Sequence, residues 1–157
     1  MKMAVGSDNI CNLTDTILAH LESREIEVTK CGALAGKSVD YVDGASEVAE
    51  LVANGKCEQG LIFCNTGTGV TIIANKFFGV RAALCVDSFS AKIARLANNA
   101  NVVVLGIRLT GEIAAREIVD SWLDTQPSDE PRRMAFHRKT DELDQLNRKS
   151  CPKSSSK

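Results

Sequence analysis

The residues with the greatest chemical potential in this chain of 157 residues stand together in "LIFCNTGTGVTIIANK", Leu61 to Lys76. An apolar run ends on Cys64, a loop of Asn65, Thr66, Gly67, Thr68 and Gly69 follows, and a segment of helical period opens behind it. Glycines at a helix start leave backbone N–H groups able to face an anion or a developing oxyanion. A thiol beside such a start ionises more readily than free cysteine, whose pKa is about 8.5, so Cys64 is a candidate base or nucleophile. Core packing is the competing reading for a cysteine that closes an apolar run. The Thr66 hydroxyl suits either donation to a substrate oxygen or capping of the helix. The glycine pair is not a Walker loop, because no Gly-Lys-Ser/Thr follows, and Gly67-Thr68-Gly69 lacks the third glycine of a dinucleotide fingerprint and follows the third strand. A tight turn with close helix packing would also account for it.

Placing such a loop requires a strand before it and a helix after it, and that alternation runs the length of the chain. Short apolar runs at residues 2–6, 27–31, 59–64, 81–86 and 101–106 read as strands. Helical periods at 13–23, 44–53, 67–75, 88–97 and 111–123 fill the gaps. This order predicts an α/β fold, a single-domain, doubly wound, five-stranded parallel sheet of Rossmann-like or flavodoxin-like type with helices on both faces. In such sheets ligands bind outside the carboxyl ends of the strands, and Asp8, Cys64 and Asp87 all fall at such ends. After the breaker-rich "TQPSDEP", the segment "RRMAFHRKTDELDQLNRK" predicts a C-terminal extension helix crossing to another surface. The expected organisation is an α/β domain over 1–125, the helix over 126–149 and a disordered tail over 150–157.

Composition narrows the function classes. Hydrophobic residues at 44%, charged residues at 25% and a net charge of -1 suit a globular domain and give no support for non-specific nucleic-acid binding. No run approaches the roughly 20 apolar residues of a membrane span, and the apolar residues before Asp8 are too few for a signal peptide, so a cytoplasmic protein is expected. The six cysteines, Cys11, Cys31, Cys57, Cys64, Cys85 and Cys151, form no CxxC pair and have only His20 and His137 as imidazole company. They read as reduced thiols, with Cys31, Cys57 and Cys85 packing the core, and no metal site or cofactor is expected.

"CNTGTGVTIIANK" followed by "GVRAALCVDSFSAKIARLANNANVVVLGIRLTG", with "AVGSDN" at the start and "SVDYVD" in the second loop, resembles the ribose-5-phosphate isomerase B and galactose-6-phosphate isomerase family. The likeness spans roughly residues 1 to 125. It implies metal-free aldose–ketose isomerisation of a small phosphorylated sugar through an enediolate, in a site shared between two subunits of a homodimer, which in turn can pair as a tetramer. By the same resemblance Cys64 takes the proton next to the carbonyl, Thr66 serves the sugar oxygens, and the amides of Asn65, Thr66, Gly67, Thr68 and Gly69 stabilise the developing oxyanion. Asp8 and Tyr41 match positions that contact sugar hydroxyls, Asn98 one contributed across the dimer interface, and Arg108 one that holds the phosphate, which an arginine grips bidentately. A helix cap at Asp8, packing at Tyr41 and a helix end at Asn98 are the plainer readings of those three.

The chain departs from the family pattern at informative places. Asn9 stands where the family usually has a phosphate-side histidine, Asn65 replaces a usual glycine, and Ala97 replaces the histidine that assists ring opening. The usual Arg-His-x-Arg-Arg run is here Arg132-Arg133 followed by His137-Arg138, and helical spacing puts Arg133 and His137 on one face as a modified phosphate clamp or as solvated charges. Ribose 5-phosphate is the leading substrate expectation. A tetrose 4-phosphate, which needs no ring opening, and a hexose 6-phosphate are alternatives, as is a non-catalytic sugar-phosphate-binding paralogue, against which the retained Cys64, Thr66 and glycines count.

Overall fold

Alternate strand residues point to opposite faces of the sheet, and two apolar layers result. The structure, a computed structural model, describes the backbone of residues 1–150 and the side chains of residues 1–146. Five parallel strands, β1 (Lys2–Ser7), β2 (Glu27–Gly32), β3 (Gln59–Cys64), β4 (Ala82–Leu84) and β5 (Val102–Gly106), lie in the order β2-β1-β3-β5-β4. The helices are α1 (Asn12–Ser23), α2 (Tyr41–Ala53), α3 (Thr68–Ala74), α4 (Ser88–Asn98), α5 (Glu112–Leu123) and α6 (Pro131–Ser150). Met3, Val5, Leu61, Phe63, Val103 and Leu105 face the layer built by α1, α4 and α5. Ala4, Ile62, Val102 and Val104 face α2 and α3. Helices therefore cover both faces, as doubly wound parallel sheets require.

Several details depart from the sequence expectation for local reasons. β5 inserts between β3 and β4, so the order differs from the flavodoxin 2-1-3-4-5 pattern in its last two strands. α2 starts three residues before the expected Gly44, because Asp40 Oδ1 accepts from the amides of Val42 (2.9 Å) and Asp43 (3.0 Å). A 3₁₀ turn, Ala33–Ala35, follows β2. β4 is shortened at both ends: the Arg81 amide bonds the Asn101 side chain, and Asp87 already caps α4 by accepting from the Ser90 amide at 2.6 Å. α6 begins at Pro131, a residue suited to the first helical turn, and not at 126. Ser150, expected in the tail, is in that helix and is the last described residue; the rest of the expected tail, residues 151–157, lies outside the described residues.

Cys31, Cys57 and Cys85 are buried, as core packing expects, whereas Cys11 and Cys64 are half-buried, and all five are free thiols. Burial pushes the Cys31 thiol up to about 11 and the Cys85 thiol up to about 12. Alkylation of the folded protein at pH 8 should therefore label Cys64 and Cys11 well before Cys31 and Cys85, read by peptide mass spectrometry. The raised pair also sets a sign for stability. Above the ordinary thiol value of 9.0 the unfolded chain loses protons the folded chain keeps, so the melting temperature should fall as pH rises from there towards 11. Among the described residues no helix is long and apolar enough to cross a membrane.

Candidate active site

The chain reverses its direction of winding between β1 and β3, and the crevice at their carboxyl ends is where an open α/β sheet binds ligands. Cys64 closes β3 on that rim, half-buried at the edge of the core layer beneath α2 and α3. Its carbonyl accepts from the Ile107 amide at 2.8 Å, and the carbonyl of Asn65 accepts from the Arg108 amide at 3.1 Å. These two bonds fasten the loop to the end of β5. Gly106 permits the approach, since a Cβ there would stand 2.9 Å from the Thr66 carbonyl oxygen. Gly67 turns the chain into α3 with φ 81°, and a Cβ at that position would meet Leu84 Cδ1 at 2.5 Å. The first bond of α3 runs from the Thr71 amide to the Gly67 carbonyl at 3.1 Å, leaving the preceding amides without intrahelical acceptors. Thr66 does not cap the helix; its Oγ1 lies 2.9 Å from the Oγ1 of Thr68, the first residue of α3, and both side chains are exposed.

The remaining residues of this rim converge from neighbouring elements. Tyr41, the first residue of α2, lays its ring against Gly69: a Cβ built there would lie 3.1 Å from Tyr41 Cε2. Its side chain is only partly packed, at 44% exposure. Asp8 follows β1 directly and is not the cap of α1, because Cys11 is the N-cap of that helix, its amide donating to Thr14 Oγ1 at 3.0 Å. The half-buried Asp8 carboxylate has no hydrogen bond or ion pair among the described residues. Asn9 is exposed, and its Oδ1 accepts from the Ile10 amide at 2.9 Å. Arg108 leaves the end of β5 exposed, while Asp87 is occupied in capping α4. Its carboxyl is held below the usual range by the Ser90 amide and then the Ser90 hydroxyl.

Asn98, Arg133 and His137 stand elsewhere. α4 returns from the carboxyl end of β4 to the amino end of β5, so Asn98, its last residue, sits at the opposite end of the sheet from Cys64. The five residues of β5 separate the two ends by about 16 Å at 3.3 Å per residue. α6 docks at this far end through one face. His137 Nε2 lies 2.9 Å from the Ala97 carbonyl, Asp141 pairs with Arg81 at 3.2 Å, and Asp144 accepts from the Gly79 amide at 3.1 Å. Arg133, one turn before His137, bonds Glu130 at 3.2 Å and shares a cavity of about 390 Å³ with Asn98 and Arg132. Arg81, Asp141 and Asp144 carry no signal in the local sequence, because their pairing joins segments some sixty residues apart. Two groups result, one at each end of the sheet.

Comparison with known proteins fits this geometry. The family described as Ribose/Galactose Isomerase matches residues 3–139. Ribose-5-phosphate isomerase B of Escherichia coli is 41% identical over 126 residues, covering 80% of this chain and 85% of the relative. The D-erythrulose-4-phosphate isomerase of Pectobacterium atrosepticum is 38% identical over 128 residues, covering 80% and 84%. The solved structure of Clostridium thermocellum ribose-5-phosphate isomerase B superposes with a TM-score of 0.86 at 38% identity, over 94% of this chain and 99% of that one.

Proposed function

The chain belongs to the ribose/galactose isomerase family, and from that membership we propose that it interconverts phosphorylated aldoses and ketoses, with ribose 5-phosphate and ribulose 5-phosphate as its pair. The observation that carries this reading is the half-buried Cys64 thiol at the end of β3 beside a glycine turn, on the same rim as Asp8 after β1 and Arg108 after β5, with the Tyr41 ring against Gly69. Cys64, as thiolate, takes the proton from C2 of the open-chain aldose. The charge passes to the carbonyl oxygen, which faces the amides of Asn65 to Gly69, and an enediolate forms. Thr66 moves a proton between O2 and O1, and the Cys64 thiol, whose S–H exchanges with solvent, gives a proton to C1, which completes the ketose with no net gain or loss. Arg108 takes the phosphate, with Asn9 on that side, and Asp8 and Tyr41 take the hydroxyl side.

Asn98, Arg133 and His137 serve the same sugar only if a second copy brings its far end to this crevice, so the active unit is a homodimer or a tetramer of such dimers. Free thiols at five described cysteines suit work in the cytoplasm. Conversion of ribose 5-phosphate in D2O should yield ribulose 5-phosphate carrying solvent deuterium at C1, detected by NMR; absence of both conversion and exchange overturns the reading.

A second reading has its own observation. Residue 97 is alanine, so α4 supplies no imidazole for opening a sugar ring, and a relative named for D-erythrulose 4-phosphate is 38% identical. A tetrose carrying phosphate on C4 cannot close a ring through that oxygen and needs no such group. Steady-state comparison decides between them: a kcat/KM for ribose 5-phosphate more than about tenfold above that for erythrose 4-phosphate removes the tetrose reading.

A further inference from the structure

Ribose 5-phosphate rests mainly as a five-membered hemiacetal closed between C1 and O4. Cys64 can act only after the C1–O4 bond breaks. We infer that His137 is the acid–base group that opens this ring, an assignment that rests on the pentose-phosphate isomerase reading. The chain has two imidazoles. His20 is committed to structure: its Nε2 lies 2.8 Å from Asp120 Oδ1, between α1 and α5, and Arg24 also pairs with Asp120. His137 is differently placed. It is half-buried on α6, in the wall of a cavity of about 350 Å³ that Asn98, Arg81 and Phe136 also line.

The contact at Ala97 fixes the chemistry of the ring. A carbonyl oxygen only accepts, so the 2.9 Å contact requires the imidazole to donate from Nε2. In the neutral ring Nδ1 is then the acceptor, and it has no partner among the described residues. The ring is also held in place from a distance. Asp141 and Asp144, four and seven residues further along the same face, bind Arg81 and the Gly79 amide, so the docking of α6 orients the base. His137 thus brings an imidazole onto the backbone of residue 97, whose own side chain has none. Nδ1 takes the proton from the anomeric O1 hydroxyl as the C1–O4 bond cleaves to leave the C1 carbonyl. The imidazolium then gives that proton to O4, which becomes the C4 hydroxyl. Protons and electrons balance, and the aldehyde is delivered to Cys64 of the facing copy.

His137→Gln tests this in the intact protein. A glutamine side-chain amide can still donate towards the Ala97 carbonyl but has no base, and a melting curve verifies that α6 remains docked. Two rates are compared: turnover of ribose 5-phosphate, and exchange of the C1 hydrogen of ribulose 5-phosphate with D2O. The ketose cannot close a five-membered ring through its phosphorylated O5, so the exchange reports the enediolate step alone. Loss of ribose 5-phosphate turnover should exceed loss of exchange by about tenfold or more. Equal losses in the two rates, which a mere phosphate contact would give, overturn the assignment, as does unchanged ribose 5-phosphate turnover. A wild-type protein that performs no exchange overturns the isomerase reading and this assignment with it, whereas with normal wild-type exchange a failure falls on the His137 assignment alone.

Discussion

Cys64→Ala should lower kcat for sugar-phosphate isomerisation by about a thousandfold or more, and the same substitution should remove C1 deuterium exchange, because both depend on one base. The expected KM changes little. Arg108 and the backbone amides of the loop remain where the bonds to Ile107 and Arg108 hold them, so the alanine protein still binds the phosphorylated sugar. Cys64→Ser should be nearly as inactive, since an alkyl hydroxyl is a far weaker acid than a thiol and serves poorly as the base, although serine nearly preserves the shape of the side chain. That pair of variants separates chemistry from packing. Cys64 touches the core layer beneath α2 and α3 only at its edge, so its truncation should cost about 1 kcal/mol of stability in a thermal melt. A loss of activity tracking a collapse in melting temperature would return Cys64 to the role of a packing residue. Undiminished activity on tetrose, pentose and hexose phosphates would move the base elsewhere.

The near end of this site was open to reading from the sequence because its parts are local. An apolar run into a cysteine, a glycine turn and a helical period are contiguous, and the structure keeps them so. The sheet was legible in kind, and its edge was legible in principle. "VVVLG" of β5 is buried throughout while "AAL" of β4 is half-buried, which is the contrast between an inner and an edge strand and the signal that β5 lies inside. The start of α2 was also written locally, in Asp40 before Val42 and Asp43, but Gly44 draws the eye to a later boundary. The far end had no such local script. Helical spacing alone puts Arg133 and His137 on one face, but only tertiary packing shows that the face turns to Ala97 and Asn98, away from Cys64.

That separation leads to the second large effect, a restoration of activity from inactive parts. If each site takes Cys64 from one copy and Asn98 with Arg133 from the other, Cys64→Ala spoils one end of a protomer and Asn98→Ala/Arg133→Ala spoils the other. Either variant alone should be nearly inactive, since every site in its dimer has a defective half. Co-expressed in equal amounts with different affinity tags, the two should pair at random. Half of the dimers are then mixed, and each mixed dimer has one site with both halves intact and one with both spoiled, so activity should return to about a quarter of wild type. Tandem purification through both tags should raise this to about half. A site built within one chain predicts no recovery at any mixing ratio, because every protomer would still hold one broken part. The roughly 16 Å between the two ends of β5 is why recovery is expected: a sugar phosphate is too short to bridge it, and an adjacent copy is not.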